Sequence, residues 1–462
     1  METLRRLAAA IKTRGGRLTL TGGQPRDAWL REPGSLGQGL GWLKPGDLDL
    51  VAFGLEWPAI LEVARAFGRA GIILSRQTGQ KSPALVRFRQ GPVVLEISQP
   101  KALGRSGGQP GAGFAEDALT RDFTINALHY DLLTGELLDP LGGLADLQAR
   151  RLRLCEAGAL RRDPLRILRA MVSLAKLGLS PASSLLAATR RDWPALTLVS
   201  RDRLWPEWAK WAKTAWPRLG LEFLRESQAV KFWPELAALV GAPQNPSFHP
   251  EGDAWNHTAL VVQAMAELPG LPAWRRASGL LASLLHDVGK PRVVRVEDGK
   301  VLTSGHAPAG VAVAKSFLRA QGAPHKTVGR VLKLVRWHME LTFQSLSSQG
   351  LRQLARHLAP ESDLEDFWAL SAADWNGRRP RFELFPYSLE EFLEPVGGLA
   401  TPPQPLLLGG ELIGLSYLRP GPGVGRWLRR LALAQDSGAA RTREEAQAWL
   451  RGQGWGLRGF QA

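Results

Sequence analysis

A chain of 462 residues, 44% apolar and 22% charged, is long enough for roughly two to four domains with well-buried cores. No run of 18 apolar residues occurs, so no transmembrane helix is indicated; the single cysteine, Cys155, excludes a disulfide framework within the chain and fits a reducing cytoplasm. The net charge of +16 favours a polyanionic partner, nucleic acid ahead of a membrane surface.

Residues 1–16 lack the apolar core and cleavage site of a signal peptide and read as an amphipathic helix. An apolar run, Leu18 to Leu20, leads into Gly22 and Gly23, and Pro25 opens a helix at a favoured first-turn position. A Gly-rich loop, 31–46, of unassigned role precedes GDLDLVAF. There Asp47 and Asp49 alternate with Leu48 and Leu50, so a strand would present both carboxylates on one face. Either feature alone is common in turns and on solvated edges. In the order strand, glycine pair, helix, strand, D-x-D, they point to a triphosphate at a helix N-terminus beside divalent cations. Two such ions about 4 Å apart clamp the attacking and leaving oxygens of a phosphoryl transfer.

Residues 56–70 have helical periodicity, and 71–74, 85–88 and 92–97 read as short strands. Glu96, on the last of these, either completes a three-carboxylate metal site or is a plain surface glutamate. Between Arg65 and Pro110 there are eight basic residues and one acid, a local net of +7 suited to RNA or DNA. The Gly-rich basic stretch 101–113 reads as a mobile loop near the site. Glu116, Asp117, Arg121, Asp122 and Asn126 follow in a compact motif, EDALTRDFTINAL.

The motifs GGxxRD, DLD, RDFTINAL, DPxGGxxDL and DPLRILRA, in this order over residues 18–207, resemble those of the class II tRNA nucleotidyltransferases. That family adds CCA, or part of it, to tRNA 3′ ends and shares its catalytic head with bacterial poly(A) polymerases. The resemblance implies tRNA, CTP and ATP as partners and Mg²⁺ as cofactor, with no membrane. Asp47 and Asp49 would bind two Mg²⁺ ions, one activating the tRNA 3′-hydroxyl and the other stabilising the pyrophosphate. Glu96 is the candidate third catalytic carboxylate. Gly22 and Gly23 would cradle the triphosphate, and Arg121 and Asp122, supported by Asn126, would contact ribose and phosphates. Arg26, counted with the nucleotide-binding residues, pairs with Asp27 and braces the glycine turn.

Helices are read at 164–178, 181–190 and 203–216. Asp163 and Arg166, spaced i, i+3, offer acceptors and a donor fork on one helical face. They are either a surface salt bridge or, as the resemblance implies, a protein template that selects CTP and then ATP. Ser200, Arg203 and Glu207 match a further helix motif that braces this neck. Trp205, Trp208 and Trp211 recur near helical spacing; core packing is the first reading and base stacking the second. Arg162 replaces the family's usual Glu, and Thr120 the first Arg of its RRD. The loop 31–46 is long for the family. The 19 residues between Glu96 and Glu116 are fewer than in full CCA-adding members, a feature of relatives that add only CC.

Beyond a Pro- and Gly-rich boundary at 241–250 lies separate chemistry. His257 begins a helix, and His286 and Asp287 lie on an apolar helix ended by Gly289 and Pro291. His306, His338 and Asp374 follow. The series resembles the HD superfamily of metal-dependent phosphohydrolases. That implies a one-metal set of His257, His286, Asp287 and Asp374, extended to two metals by His306 and His338. Imidazole and carboxylate ligands suit Ni, Mn, Co or Fe. Phosphomonoesters or 2′,3′-cyclic phosphates are the implied substrates. His249 is read as structural, and His129, His325 and His357 as ordinary surface or packing residues.

The tail reads as a helix, a Pro-Gly turn and a basic helix, either gripping the tRNA elbow or simply packing. The expected fold is therefore an α/β nucleotidyltransferase (polymerase-beta-like) head followed by all-α neck, HD and tail domains. The expected domains are head 1–150, neck 151–243, HD domain 244–395 and tail 396–462. The expected activity is addition of C, and of A, to the tRNA 3′ end in the cytoplasm, with a CC-only adding enzyme as the alternative and poly(A) synthesis behind it.

Overall fold

The computed structural model describes residues 2–32, 40–67, 85–90, 93–341, 347–378, 384–415 and 420–453. The strand expected at 71–74 and part of the loop 31–46 lie outside the described residues. Two compact units are present: Met1–Glu207 with Leu219–Phe232, and Trp208–Arg218 with Trp233–Ala462.

Among the described residues, the first unit is built on a six-stranded sheet in the spatial order Leu85–Gln90, Val93–Ser98, Gly46–Phe53, Arg17–Thr21, His129–Asp131, Leu137–Leu138. Helix α1 (Glu2–Lys12) is the expected amphipathic helix: Leu4, Leu7, Ala8 and Ile11 are buried at helical spacing. Strand β1 (Arg17–Thr21) ends at the glycine pair, and α2 (Gly23–Arg31) starts there, with Pro25 in its first turn. Strand β2 (Gly46–Phe53) pairs antiparallel with β1. Its Leu48, Leu50 and Ala52 join the core with Leu18 and Leu20, which turns Asp47 and Asp49 to the opposite face. Helix α3 (Trp57–Phe67) lies within the 56–70 reading, whose last three residues are outside the described ones. Strands β3 (Leu85–Gln90) and β4 (Val93–Ser98) pair antiparallel, and β4 runs parallel to β2. Helix α4 (Phe114–Thr120), β5 (His129–Asp131), β6 (Leu137–Leu138) and α5 (Gly143–Gln148) complete the head.

The stretch 101–113, expected to be a mobile loop, is irregular but anchored. Lys101 N donates to Asp117 Oδ1 (2.8 Å), Gln109 N to Pro100 O (2.8 Å) and Gly54 N to Pro110 O (3.1 Å). Its glycines thus shape a fixed path: a Cβ on Gly108 would lie 2.2 Å from Gln99 Oε1.

In the neck, α6 (Ala159–Arg162) stops at Asp163, and α7 (Arg166–Leu177) begins three residues later. Asp163 and Arg166 therefore do not share a helical face, contrary to expectation. Asp163 is extended (φ −141°, ψ 92°), as the residue before proline tends to be, and Pro164 separates the helices. A turn joins the pair instead, with Arg166 N donating to Asp163 O at 3.1 Å. Helices α8 (Ser183–Asp192), α9 (Arg201–Trp211) and α10 (Pro217–Glu226) follow, so α9 ends before the expected Trp216.

Among its described residues, the second unit is helical apart from a two-stranded hairpin, Arg295–Glu297 with Lys300–Leu302. Trp208 and Trp211 belong to its core. Both are fully buried, and Trp208 meets Trp211, Trp233 and Phe317 edge-on at centroid distances of 5.5, 5.3 and 5.4 Å. Burial removes these two rings from base stacking. Helix Ala254–Glu267 starts one turn before His257, because Asp253 caps it by accepting from Asn256 N. It packs on Ala273–Leu285 and Leu364–Asn376. His286 is the C-cap of Ala273–Leu285 and Asp287 lies just past it, rather than within the helix as read. The tail holds a helix the sequence reading missed. Gly409–Gly414, Pro422–Asp436 and Arg443–Gly452 close on a core of Leu407, Leu412, Leu431, Ala446 and Leu450.

Candidate active site and metal centre

Parallel pairing of β2 with β4 aligns Asp49 with Glu96, so Asp47, Asp49 and Glu96 lie on one face of adjacent strands. Arg87, opposite Glu96 on β3, has Nε 3.1 Å from Glu96 Oε1 and Nη2 3.6 Å from Asp47 Oδ2. Loss of solvent is the largest influence on Asp49 and raises its carboxyl; Asp47 adds to this, while Arg121 and Lys101 oppose it. Glu96 is raised by the same desolvation, with Asp49 and Asp47 adding and Arg87 opposing. Carboxylates that disfavour one another's charge on a rigid sheet fit a divalent cation, which relieves that repulsion and takes hard oxygen ligands.

Gly22 sits against this cluster with φ +76°, and a Cβ there would lie 2.6 Å from Asp49 Oδ2. Gly22→Ala is therefore expected to lower kcat/KM for nucleotide addition by about tenfold or more, since the Cβ meets Asp49 and the backbone conformation (φ +76°, ψ −135°) costs a residue with a Cβ roughly 1–3 kcal/mol. Steady-state kinetics with CTP, beside a melting curve, measures it.

A cleft of about 630 Å³ opens here. Of the expected site residues it is lined by Gly22, Gly23, Arg26, Asp49, Glu96, Arg121, Asp122, Asn126 and Arg166. Asp47 and Asp163 stand outside the lining. Arg26 pairs with Asp27 (Nε to Oδ1, 2.7 Å) as expected and also donates to Asn126 Oδ1. Asn126 Nδ2 in turn donates to Asp122 Oδ1 at 3.0 Å. The glycine turn and the RDFTIN segment are thus one hydrogen-bonded assembly.

Sequence reasoning missed the organiser of this wall, Asp117. Buried on α4, it accepts two bonds from Arg121 (3.1 and 2.9 Å) at Oδ2 and holds Lys101 N at Oδ1. The i, i+4 spacing of Asp117 and Arg121 was the available signal. Of the two readings of His129, surface or packing, the structure bears out packing. His129 is fully buried, with Nδ1 3.1 Å from Thr19 Oγ1 and Nε2 3.5 Å from Asp117, and burial pushes it down to about 3. In the neck, Arg166 donates to the carbonyls of Arg121 (3.0 Å) and Thr120 (2.6 Å), and Asp163 accepts from Arg203 Nη2 at 3.0 and 3.2 Å. Arg162 turns away to pair with Glu156.

The second unit holds a separate cluster. His257 Nε2 lies 2.9 Å from Asp374 Oδ1 and 3.3 Å from His286 Nε2. His306 Nε2 lies 3.1 Å from His338 Nε2. Asp287 stands between, with Oδ2 3.1 Å from His286 and Oδ1 3.2 Å from His306. All six expected residues are therefore brought together, and Asp287 offers one oxygen to each set.

Backbone geometry orients the imidazoles. Nδ1 of His286, His306 and His338 each meets the carbonyl three residues back, at 2.8, 2.8 and 2.9 Å. A carbonyl only accepts, so these nitrogens carry the proton and every Nε2 lone pair faces the cluster. His257 does the same through Glu251, whose Oε1 is 2.7 Å from Nδ1. Burial would raise Glu251, but bonds from His249 and His257 bring it down to about 2. His249, read as structural, has Nδ1 on Glu251 (2.8 Å) and lines the cavity above the cluster. Gly289 permits the approach of the two ligand sets, because a Cβ there would lie 2.1 Å from His306 O. Among the described residues, His257, His286 and Asp374 form one group that could hold a metal ion, and Asp287, His306 and His338 form another.

A glycine turn, aligned carboxylates and an arginine-walled cleft on a mixed sheet define a nucleotidyltransferase head. Residues 18–153 match the family model of the poly A polymerase head domain. The chain is 34% identical to the CC-adding tRNA nucleotidyltransferase of Thermus thermophilus over 350 residues, 72% of this chain and 76% of that one. It is 32% identical to the multifunctional CCA protein of Halorhodospira halophila over 297 residues, 62% of this chain and 69% of that one. The Bacillus stearothermophilus CCA-adding enzyme in complex with CTP shares the fold, with a TM-score of 0.66 at 19% identity over 98% of this chain and 97% of that one. The chain belongs to the class II tRNA nucleotidyltransferases, and membership implies a divalent metal in the head. Among the described residues, no helix is long and apolar enough to cross a membrane.

Proposed function

We propose that this enzyme extends tRNA 3′ ends with C, and with A where its loop permits, from CTP and ATP. The observation that carries this is the alignment of Asp49 with Glu96 beside Asp47, facing the Gly22 turn. Mg²⁺ ions held by these carboxylates supply the charge that activates the 3′-hydroxyl and stabilises pyrophosphate. Gly22 and Gly23 bring backbone N–H groups to the triphosphate at the start of α2. Arg121 and Asp122, fixed by Asp117 and Asn126, hold the phosphates and ribose. Arg166 and Asp163, each immobilised by its own partners, read the base edge. The four-part division into head 1–150, neck 151–243, HD domain 244–395 and tail 396–462 belongs to this reading, as does work in the cytoplasm.

The likeness to a CC-adding relative and the 19-residue span after Glu96 favour CC addition over full CCA. Incubation with tRNA lacking CCA and CTP, ATP or both is expected to yield products extended by two C residues, read by gel. Addition of one further A with both nucleotides would identify a full CCA-adding enzyme. A long tail from ATP alone would overturn the reading in favour of a poly(A) polymerase.

A second reading is carried by the convergence of four Nε2 atoms on Asp287 and Asp374. We infer an HD phosphohydrolase that binds Ni, Mn, Co or Fe and acts on phosphomonoesters or 2′,3′-cyclic phosphates. Asp287 is suited to ligation: burial would raise it, but His286 and Lys290 hold it well below the usual carboxylate range.

A further inference from the structure

The cavity above the histidine cluster, of about 610 Å³, is lined by three cations that have no role in ligation: Lys290, which is buried, and Arg336 and Arg378, which are partly buried. The hydrogen-bonding states of Lys290 and Arg378 differ. The Lys290 ammonium has three N–H groups and three neighbours: Asp287 Oδ2 at 2.6 Å, Gln244 Oε1, and His249 Nε2 at 3.5 Å. It is saturated. Arg378, whose side chain is only 11% exposed, donates from Nη2 to Asp374 Oδ2. Its Nε is buried with no hydrogen-bond partner among the described residues. A guanidinium carries five N–H donors, and an orphaned buried donor is costly unless a ligand satisfies it.

The position of this fork matters. Asp374 turns Oδ1 to His257 Nε2 at 2.9 Å and Oδ2 to Arg378, so the guanidinium stands one carboxylate away from the ligand cluster. Lys290 and Arg378 balance the charges of Asp287 and Asp374. Cations bound at the cluster would therefore leave the cavity positive, matched to a phosphate dianion. The planar fork of arginine suits a phosphoryl group as a lysine point charge does not.

We propose that Arg378 is the phosphate-binding residue of this cavity, holding Asp374 with one N–H while its remaining donors take the oxygens of a phosphoryl group. The proposal rests on the phosphohydrolase reading of the cluster. It names a residue that lies outside the H…HD…H…H…D ligand series, four positions past its last member.

The test uses the full chain loaded with Mn²⁺, inorganic phosphate as the probe, and calorimetry together with metal analysis. Wild-type protein is expected to bind Mn²⁺ and phosphate. Arg378→Met, compared at saturating Mn²⁺ because it also removes a partner of Asp374, is expected to lose about tenfold or more in phosphate affinity, the worth of a charge-assisted hydrogen bond. Arg378→Lys, which keeps the charge without the fork, should fall between them and guards against a folding defect in the Met variant. Full Mn²⁺ and undiminished phosphate affinity in Arg378→Met would overturn the proposal and leave the phosphohydrolase reading intact. So would a loss of Mn²⁺ with phosphate affinity per bound ion unchanged, because Arg378 would then only position Asp374. If wild-type protein bound no Mn²⁺, the phosphohydrolase reading itself would fail.

Discussion

Replacement of Asp49 by alanine is expected to lower CTP incorporation into tRNA lacking CCA by about 1,000-fold or more, close to 4 kcal/mol in the barrier. Asp49 is the member of the carboxylate cluster that lines the cleft, touches the Gly22 turn and aligns with Glu96. No neighbour can replace it: Glu96 is engaged by Arg87, and Asp47 lies outside the cleft lining. The substitution removes a charge from the cleft, so the fold should survive, and melting temperature is the control. Phosphohydrolase activity should be unchanged, because its ligands belong to the other compact unit. Retained addition would remove Asp49 from the metal site.

His286→Ala is expected to have the opposite effect. Loss of a partner that merely orients a ligand typically costs 10–100-fold in metal affinity, so loss of His286 itself should cost about 100-fold or more. Its Nε2 faces both His257 and Asp287, and its removal opens the set at the point where Asp287 bridges. Metal content by mass spectrometry and hydrolysis of a nucleoside 2′,3′-cyclic phosphate should fall together, while CTP addition persists. If addition falls in parallel in a folded protein, the two sites are not independent.

The legible parts of this protein were those set by local chemistry. Alternation in GDLDLVAF put Asp47 and Asp49 on one face because a strand repeats every two residues. The amphipathic N-terminal helix followed from the 3.6-residue period. The H…HD…H…H…D series was legible because six metal-ligand side chains recurred among apolar segments that offered little else to bond. Local reading failed where a single residue interrupted a pattern. Pro164 breaks the helix on which Asp163 and Arg166 were placed, and the charge pair i, i+3 looked regular regardless. The glycines of 101–113 suggested mobility because the groups that anchor the segment, the Asp117 carboxylate and the Gly54 N–H, are supplied from elsewhere in the chain.

The sequence by itself determined the class of chemistry: carboxylates for hard cations in the head, imidazoles with carboxylates for softer ones beyond residue 244. Tertiary structure alone decided which of those groups act together. Glu96 was either ligand or surface residue until β4 paired parallel with β2 and brought it level with Asp49. Strand register depends on partners far along the chain, and a shift of one residue would have turned Glu96 to the other face. Likewise Glu251, Lys290 and Arg378 carry no motif of their own. They matter because helices distant in sequence pack around one buried cavity, where desolvated charges must find partners or a ligand.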